Sequence, residues 1–124
     1  MLEALRHVVH ATGYSMAGLR LLVRSELAAR IEIAFSAAAL VWLLLLGSSA
    51  GEILILVLLF CILMSVEALN TAIEVVVDRI SPDYTEFAKA AKDLASFAVF
   101  CLLSAGGIYV AAITAEKFGL IVLW

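Results

Sequence analysis

The chain has 124 residues, of which 65% are hydrophobic, and its mean hydropathy is +1.14. Soluble domains average about 45–50% apolar residues, so this composition excludes an ordinary soluble domain and indicates an integral membrane protein. The formal net charge of −3 says little because the charges are segregated along the chain, and no nucleic-acid partner is expected. At this length we expect one domain over residues 1–124.

Residues 1–26 predict an amphipathic helix that lies in the membrane interface. Charged residues and histidines break the apolar stretch, so no secretory signal peptide is expected. Gly13 is expected to bend or interrupt this helix. The apolar positions that recur at helical spacing are Leu2, Leu5, Val8, Val9, Met16, Leu19 and Leu22 or Val23.

Three apolar segments follow, and we expect membrane spans at residues 27–50, 53–79 and 92–116, since a span needs about 20 residues. A glycine- and serine-rich turn at residues 47–51 separates the first two spans. Ser81 is predicted to cap the start of the third helix, with Pro82 at its first position. Cys61 and Cys101 lie in apolar runs, where they are interpreted as small buried hydrophobes.

The distribution of basic residues predicts the orientation, because cytoplasmic segments carry an excess of Lys and Arg. The 47–52 turn has no basic residue, and the C-terminal tail has only Lys117. We therefore expect a multi-pass protein with the N-terminus and the 79–92 segment in the cytoplasm. The basic residues assigned to that side are Arg6, Arg20, Arg24, Arg30, Arg79, Lys89 and Lys92.

The second span carries a polar stripe, made of Glu67, Asn70, Glu74 and Asp78. At about 100° per residue these four positions fall within about 80° of arc on a helix. Carboxylates inside an apolar segment are costly, so they usually mark a functional site. The alternative is a helix end that emerges into water, and Asp78, next to Arg79, fits that alternative best.

Phosphoryl transfer needs a divalent metal on the phosphates, cations for the developing charge and a base near the acceptor hydroxyl. The sequence has no Walker A loop and no glycine-rich dinucleotide motif, so a site would have to be built differently. Glu26, expected at the same depth as Glu74, could share a hard cation with it, or could simply pair with Arg30. Lys92 could meet phosphate. Glu67, about 10 Å deeper, suits a base acting on a lipid hydroxyl.

The stretch Glu67-Ala68-Leu69-Asn70-Thr71-Ala72-Ile73-Glu74, followed by Val77-Asp78 and Ala91-Lys92-Asp93, resembles the small prokaryotic diacylglycerol kinase family, which includes undecaprenol kinases. Residues 13–15, 18–20 and 26–32 match that family as well. The resemblance implies an all-α homotrimer of three-span subunits with an N-terminal surface helix and active sites shared between subunits. It also implies MgATP-dependent phosphorylation of a membrane lipid alcohol at the cytoplasmic face of the bacterial inner membrane.

Residue roles follow from the same resemblance. Glu67 is expected to be the catalytic base, Asn70 an active-site hydrogen-bonding residue, and Glu26 and Glu74 the Mg²⁺ ligands. The residues expected on the lipid side are Arg30, Glu32 and Ser96. Those expected at the nucleotide are Tyr14, Asp78, Asp83, Tyr84, Thr85, Lys92 and Asp93.

Three functions are compatible with the sequence. Diacylglycerol kinase is favoured over undecaprenol kinase because residues 78–84 look more like the diacylglycerol branch. The third function, from another class, is a small multidrug or ion transporter with an embedded Glu67. Such a transporter has no evident need for Glu26, Asn70, Asp78 and the Lys92-Asp93 pair together.

Overall fold

The computed structural model describes residues 2–122, apart from five side chains in the first helix. It contains four helices: α1 (Leu2–Ser25), α2 (Leu27–Leu45), α3 (Ala50–Ile80) and α4 (Glu86–Lys117). Within the described residues there is no strand. Helices α2, α3 and α4 are long and apolar enough to cross a membrane, which confirms the all-α class with three candidate spans. The undescribed side chains include Leu2, Leu5, Val8 and Val9, so this part of the amphipathic pattern lies outside the described residues.

Helix α1 continues through Gly13, so the expected interruption there is wrong. One glycine costs about 1 kcal/mol in a helix interior, which a helix of 24 residues can absorb. The break comes instead at Glu26, whose extended backbone (φ −106°, ψ 118°) separates α1 from α2. Glu26 therefore stands at the corner between the two helices.

The α2–α3 turn is built from local capping. Gly47 adopts a left-handed φ of 70°, which glycine reaches without steric cost. Ser49 caps α3: its hydroxyl accepts a hydrogen bond from the Glu52 amide at 3.3 Å, and the Glu52 carboxylate accepts one from the Ser49 amide. This reciprocal capping box satisfies two amides that the first turn of a helix leaves free.

The start of the last helix differs from the prediction. Thr85, not Ser81, caps α4, and its hydroxyl accepts from the Ala88 amide at 3.1 Å. The Ser81 hydroxyl is occupied within the loop, where it lies 3.0 Å from the Thr85 hydroxyl and donates to the Asp83 carbonyl at 3.2 Å. Because Ser81 closes α3 and cannot also cap α4, residues 82–84 stay outside the helix.

The buried centre is small and lies between α2, α3 and α4, where Leu43, Leu56 and Ile113 pack together. Most other large apolar side chains of these helices are exposed in the single chain. Cys61 and Cys101 are free thiols but are exposed, so the expectation that they are buried is wrong. They point outward from a thin bundle. An apolar surface of this extent needs lipid or another subunit to cover it.

Polar contacts of Glu52 join α3 to α4 at the end of the bundle where α2 and α3 meet. Glu52 is 6% exposed, and its carboxylate lies 3.1 Å from the Lys117 ammonium. The Tyr109 hydroxyl donates to the Glu52 carbonyl at 2.7 Å. These contacts fasten the start of α3 to the end of α4, about 22 Å along α3 from Glu67.

Replacing Tyr109 by Phe should therefore reduce stability without changing catalysis. Loss of one buried hydrogen bond costs about 1 kcal/mol. The check is thermal unfolding in detergent micelles together with kcat. Tyr14→Phe is the matched control for stability, because the Tyr14 side chain is 76% exposed. An equal drop in thermal stability in both variants, or a lower kcat in Tyr109→Phe, would contradict this role.

Candidate active site

The C-terminal half of α3 buries two polar side chains among apolar neighbours. Glu67 is 3% exposed and Thr71 is 8% exposed, one helical turn apart. On α2, Glu32 is 6% exposed. Buried carboxylates in a membrane span are expensive unless partners stabilise them. The cost of burying these carboxylates therefore marks the region as a candidate functional site.

Chain register explains why the charge of Glu32 acts on Glu67. Leu43 of α2 packs against Leu56 of α3, across the short turn that makes the two helices antiparallel. Glu32 lies eleven residues before Leu43, and Glu67 lies eleven residues after Leu56. Eleven residues are about three helical turns, so both side chains return to the face that the leucines share.

Four carboxylates gather around this point. The charges of Glu32, Glu26 and Glu74 all act on Glu67. Like charges repel strongly where the surroundings are poor in water. The cluster is therefore a place where a proton or a cation is stabilised, and it brings together four of the predicted acidic residues, one from the corner after α1, one from α2 and two from α3.

The donor set fits Mg²⁺ carried in by a nucleotide. Among residues 2–122 no group of three acidic, histidine or cysteine side chains could hold a metal by itself. Mg²⁺, however, usually takes one or two carboxylates together with substrate phosphates. Glu26 makes no capping hydrogen bond with its side chain, and Glu74 accepts a 3.4 Å bond from the Asn70 amide. Both carboxylates keep oxygens for such an ion.

Three buried oxygens near Glu67 have no hydrogen-bond partner within the described part of the chain: Glu32 Oε2, Asn70 Oδ1 and Thr71 Oγ1. Most buried polar atoms in proteins are bonded, so each exception needs an explanation. Thr71 was not among the residues predicted from sequence. Thr71 lies four residues after Glu67, and this spacing, which puts both side chains on one face of the helix, could have identified it.

A cleft of about 270 Å³ opens at the far end of α3, against the start of α4. In it the Lys92 ammonium lies 2.5 Å from Asp78, and the Lys89 ammonium lies 2.7 Å from Asp93. Exposed ion pairs contribute little stability, so either lysine can exchange its carboxylate for phosphate. Sequence reasoning missed Lys89. The predicted nucleotide residues that line the cleft are Asp78, Asp83, Tyr84, Lys92 and Asp93.

Other predicted residues lie elsewhere in the single chain. Thr85 is occupied in capping α4 beside the cleft. Tyr14, Arg30 and Ser96 are exposed on α1, α2 and α4, and none of them lines a cavity of the described residues. One subunit thus assembles the acidic cluster and the cleft, but not the whole predicted site.

An apolar cavity of about 450 Å³ lies between α2, α3 and α4. Phe35, Leu59, Leu63 and Gly107 are among its lining residues. Leu63 is one turn from Glu67 on the same face of α3. The cavity therefore borders the acidic cluster on its membrane side.

Along α3 the features follow a fixed order: apolar cavity, buried Glu67, Glu74, then the lysine-lined cleft. An apolar molecule with a hydroxyl end could reach Glu67 from the bilayer, while an anion could reach Lys92 from water. This is the arrangement that transfer of a phosphoryl group to a membrane alcohol requires.

Comparison with known proteins agrees with this geometry. Residues 13–114 match the sequence profile of the family described as prokaryotic diacylglycerol kinase. A diacylglycerol kinase of Sinorhizobium sp. is 42% identical over 107 residues, covering 86% of this chain and 77% of that protein. The diacylglycerol kinase of Haemophilus influenzae is 35% identical over 84% of this chain and 88% of its own length. That of Escherichia coli K12 is 40% identical over 74% and 75%, respectively.

Proposed function

This chain belongs to the prokaryotic diacylglycerol kinase family, and we propose that it transfers the γ-phosphoryl group of ATP to the free hydroxyl of diacylglycerol, forming phosphatidic acid and releasing ADP. It is a lipid kinase of the membrane. The observation that carries the proposal is the order along α3, from an apolar cavity through buried Glu67 to a lysine-lined cleft. A lipid alcohol and a polyanion can thus meet between Glu67 and Glu74.

Glu67 acts as the general base in this proposal. Its carboxylate accepts the proton of the lipid hydroxyl as that oxygen attacks the γ-phosphorus. General bases contribute typically about 10²–10⁴-fold to rate. Glu32, the buried carboxylate of α2, and Asn70 complete the polar lining. Their free oxygens can accept hydrogen bonds from the substrate.

Glu26 and Glu74 would hold Mg²⁺, which when bound neutralises phosphate charge. Asn70 orients Glu74 through its amide. Lys92, released from Asp78, compensates the negative charge of the phosphates. The remaining assignments stay proposals: Arg30 and Ser96 for the lipid, and Tyr14, Asp78, Asp83, Tyr84, Thr85 and Asp93 for the nucleotide.

The direct experiment is a phosphorylation assay with labelled ATP and purified protein in mixed micelles. Diacylglycerol, undecaprenol and ceramide are compared at equal mole fraction. We expect labelled phosphatidic acid with the highest kcat/KM for diacylglycerol. A higher kcat/KM for undecaprenol would move the protein to the other branch of the family. ATP consumption that does not depend on any lipid would overturn the kinase assignment.

We propose that the N-terminus, the 81–85 loop and the cleft face the cytoplasm, on the strength of the basic-residue bias. In a background without the native cysteines, Asp83→Cys should react with a membrane-impermeant thiol reagent only after the cells are opened. Ser48→Cys should react in intact cells. The reverse pattern would overturn this orientation.

We also propose a homotrimer with active sites shared between subunits. Support comes from the uncovered apolar surface of the single chain and from the exposed positions of Tyr14, Arg30 and Ser96, which a neighbouring subunit could use. Subunits that carry Tyr14→Ala and subunits that carry Glu74→Gln, each impaired alone, should recover part of the activity when co-assembled. No recovery, with mixed oligomers shown by pull-down, would place the whole site in one subunit.

A further inference from the structure

Thr71 differs from five other hydroxyl side chains inside the helices. These five donate to the carbonyl four residues earlier, at 2.7–3.1 Å: Ser15, Ser25, Ser65, Ser104 and Thr114. This back-bonding is the ordinary way for such a hydroxyl to satisfy itself in a helix. Thr71 is 8% exposed, and its hydroxyl has no partner among the described residues.

The surroundings of Thr71 supply acceptors for a ligand but hardly any donor. The acidic cluster, when ionised, contributes only acceptor oxygens. The Asn70 amide nitrogen donates to Glu74, and the Lys92 ammonium, which pairs with Asp78, lies in the cleft. The Thr71 hydroxyl is therefore a buried donor with no acceptor among the described residues. As a donor, it is satisfied by a ligand that presents an acceptor oxygen.

We propose that the Thr71 hydroxyl donates a hydrogen bond to an ester carbonyl of the lipid substrate, next to the hydroxyl that Glu67 deprotonates. The inference rests on the proposed function and adds the chemical class of lipid. Side chains four residues apart on a helix stand about 5–6 Å apart. In diacylglycerol the reacting hydroxyl and the nearest ester sit on adjacent carbons, so a headgroup that turns this ester to the Glu74 side of Glu67 can contact both residues. A polyprenol has no ester for Thr71 to contact.

The test compares diacylglycerol with dialkylglycerol, which keeps the hydroxyl but has ether oxygens in place of the ester carbonyls. For the wild type, kcat/KM should be higher for the ester lipid by about fivefold, the size of one neutral hydrogen bond. Thr71→Val should lose this preference through a raised KM for diacylglycerol, with dialkylglycerol unaffected. Thr71→Ser should keep it. Ser104→Ala is the control, since its hydroxyl is already bonded to the Phe100 carbonyl.

Several results would overturn the inference. An equal loss on both lipids would mean a structural role, and an equal loss with a raised KM for ATP would place the hydroxyl on the phosphates. An unchanged ester preference in a folded Thr71→Val protein would exclude the contact, and if that variant does not fold, loss of the preference in Thr71→Ser would exclude it. A wild type that phosphorylates neither lipid would overturn the proposed function itself.

Discussion

Glu67→Gln is expected to lower kcat by about 10²–10⁴-fold while nucleotide affinity changes little. Glutamine keeps the size and the hydrogen-bonding reach of the side chain but cannot take up the proton of the lipid hydroxyl. Glu67 is 3% exposed and lies between the apolar cavity and Glu74, so water has poor access to replace it as a base. The measurement is steady-state kinetics in mixed micelles, with ATP-analogue binding followed separately.

Glu52→Gln is the matched control for this experiment. Glu52 is also a buried carboxylate on α3, but it lies at the opposite end of the helix, where it pairs with Lys117. Its replacement should reduce thermal stability and leave kcat of the folded protein near the wild-type value. If Glu67→Gln instead kept kcat and lost binding of the ATP analogue, Glu67 would belong to the nucleotide site and the base assignment would fail.

Glu74→Gln should impair use of Mg²⁺ while the protein stays folded. Even residues that only orient metal ligands cost about 10–100-fold in affinity or activity when they are changed, so a direct ligand should cost no less. The Glu74 carboxylate is half-buried, and the one hydrogen bond that the structure records for it comes from the Asn70 amide at 3.4 Å. Removal of its charge should therefore disturb the local packing little. We expect a higher Mg²⁺ concentration for half-maximal activity, and weaker calorimetric Mg²⁺ binding in the presence of a non-hydrolysable ATP analogue.

Glu86→Gln serves as the control for Glu74→Gln, because Glu86 is an exposed acid in the first turn of α4 and has no assigned role in the site. Size-exclusion chromatography in detergent checks that both variants keep the oligomer of the wild type. Full activity of Glu74→Gln at ordinary Mg²⁺ concentrations would rule out an essential ligand role.

Local signals made much of the site predictable. Glu67, Asn70 and Glu74 recur at helical spacing inside an apolar run, and a carboxylate there has a physical cost that calls for a function. In the structure the charges of Glu26 and Glu74 both act on Glu67. Prediction of the start of α4 failed because Ser81 and Thr85 are both suitable caps, and only the hydrogen bonds around the loop decide between them.

The sequence by itself determined the three apolar spans and the polar stripe, because hydropathy and the 3.6-residue period are properties of neighbouring residues along one helix. Only the tertiary structure decided that the charge of Glu32 on α2 acts on Glu67, that Lys92 pairs with Asp78, and that Thr71 is buried with its hydroxyl unbonded. These facts depend on how α2, α3 and α4 pack against one another. Packing joins residues far apart in the chain, and no local pattern records which of them will meet.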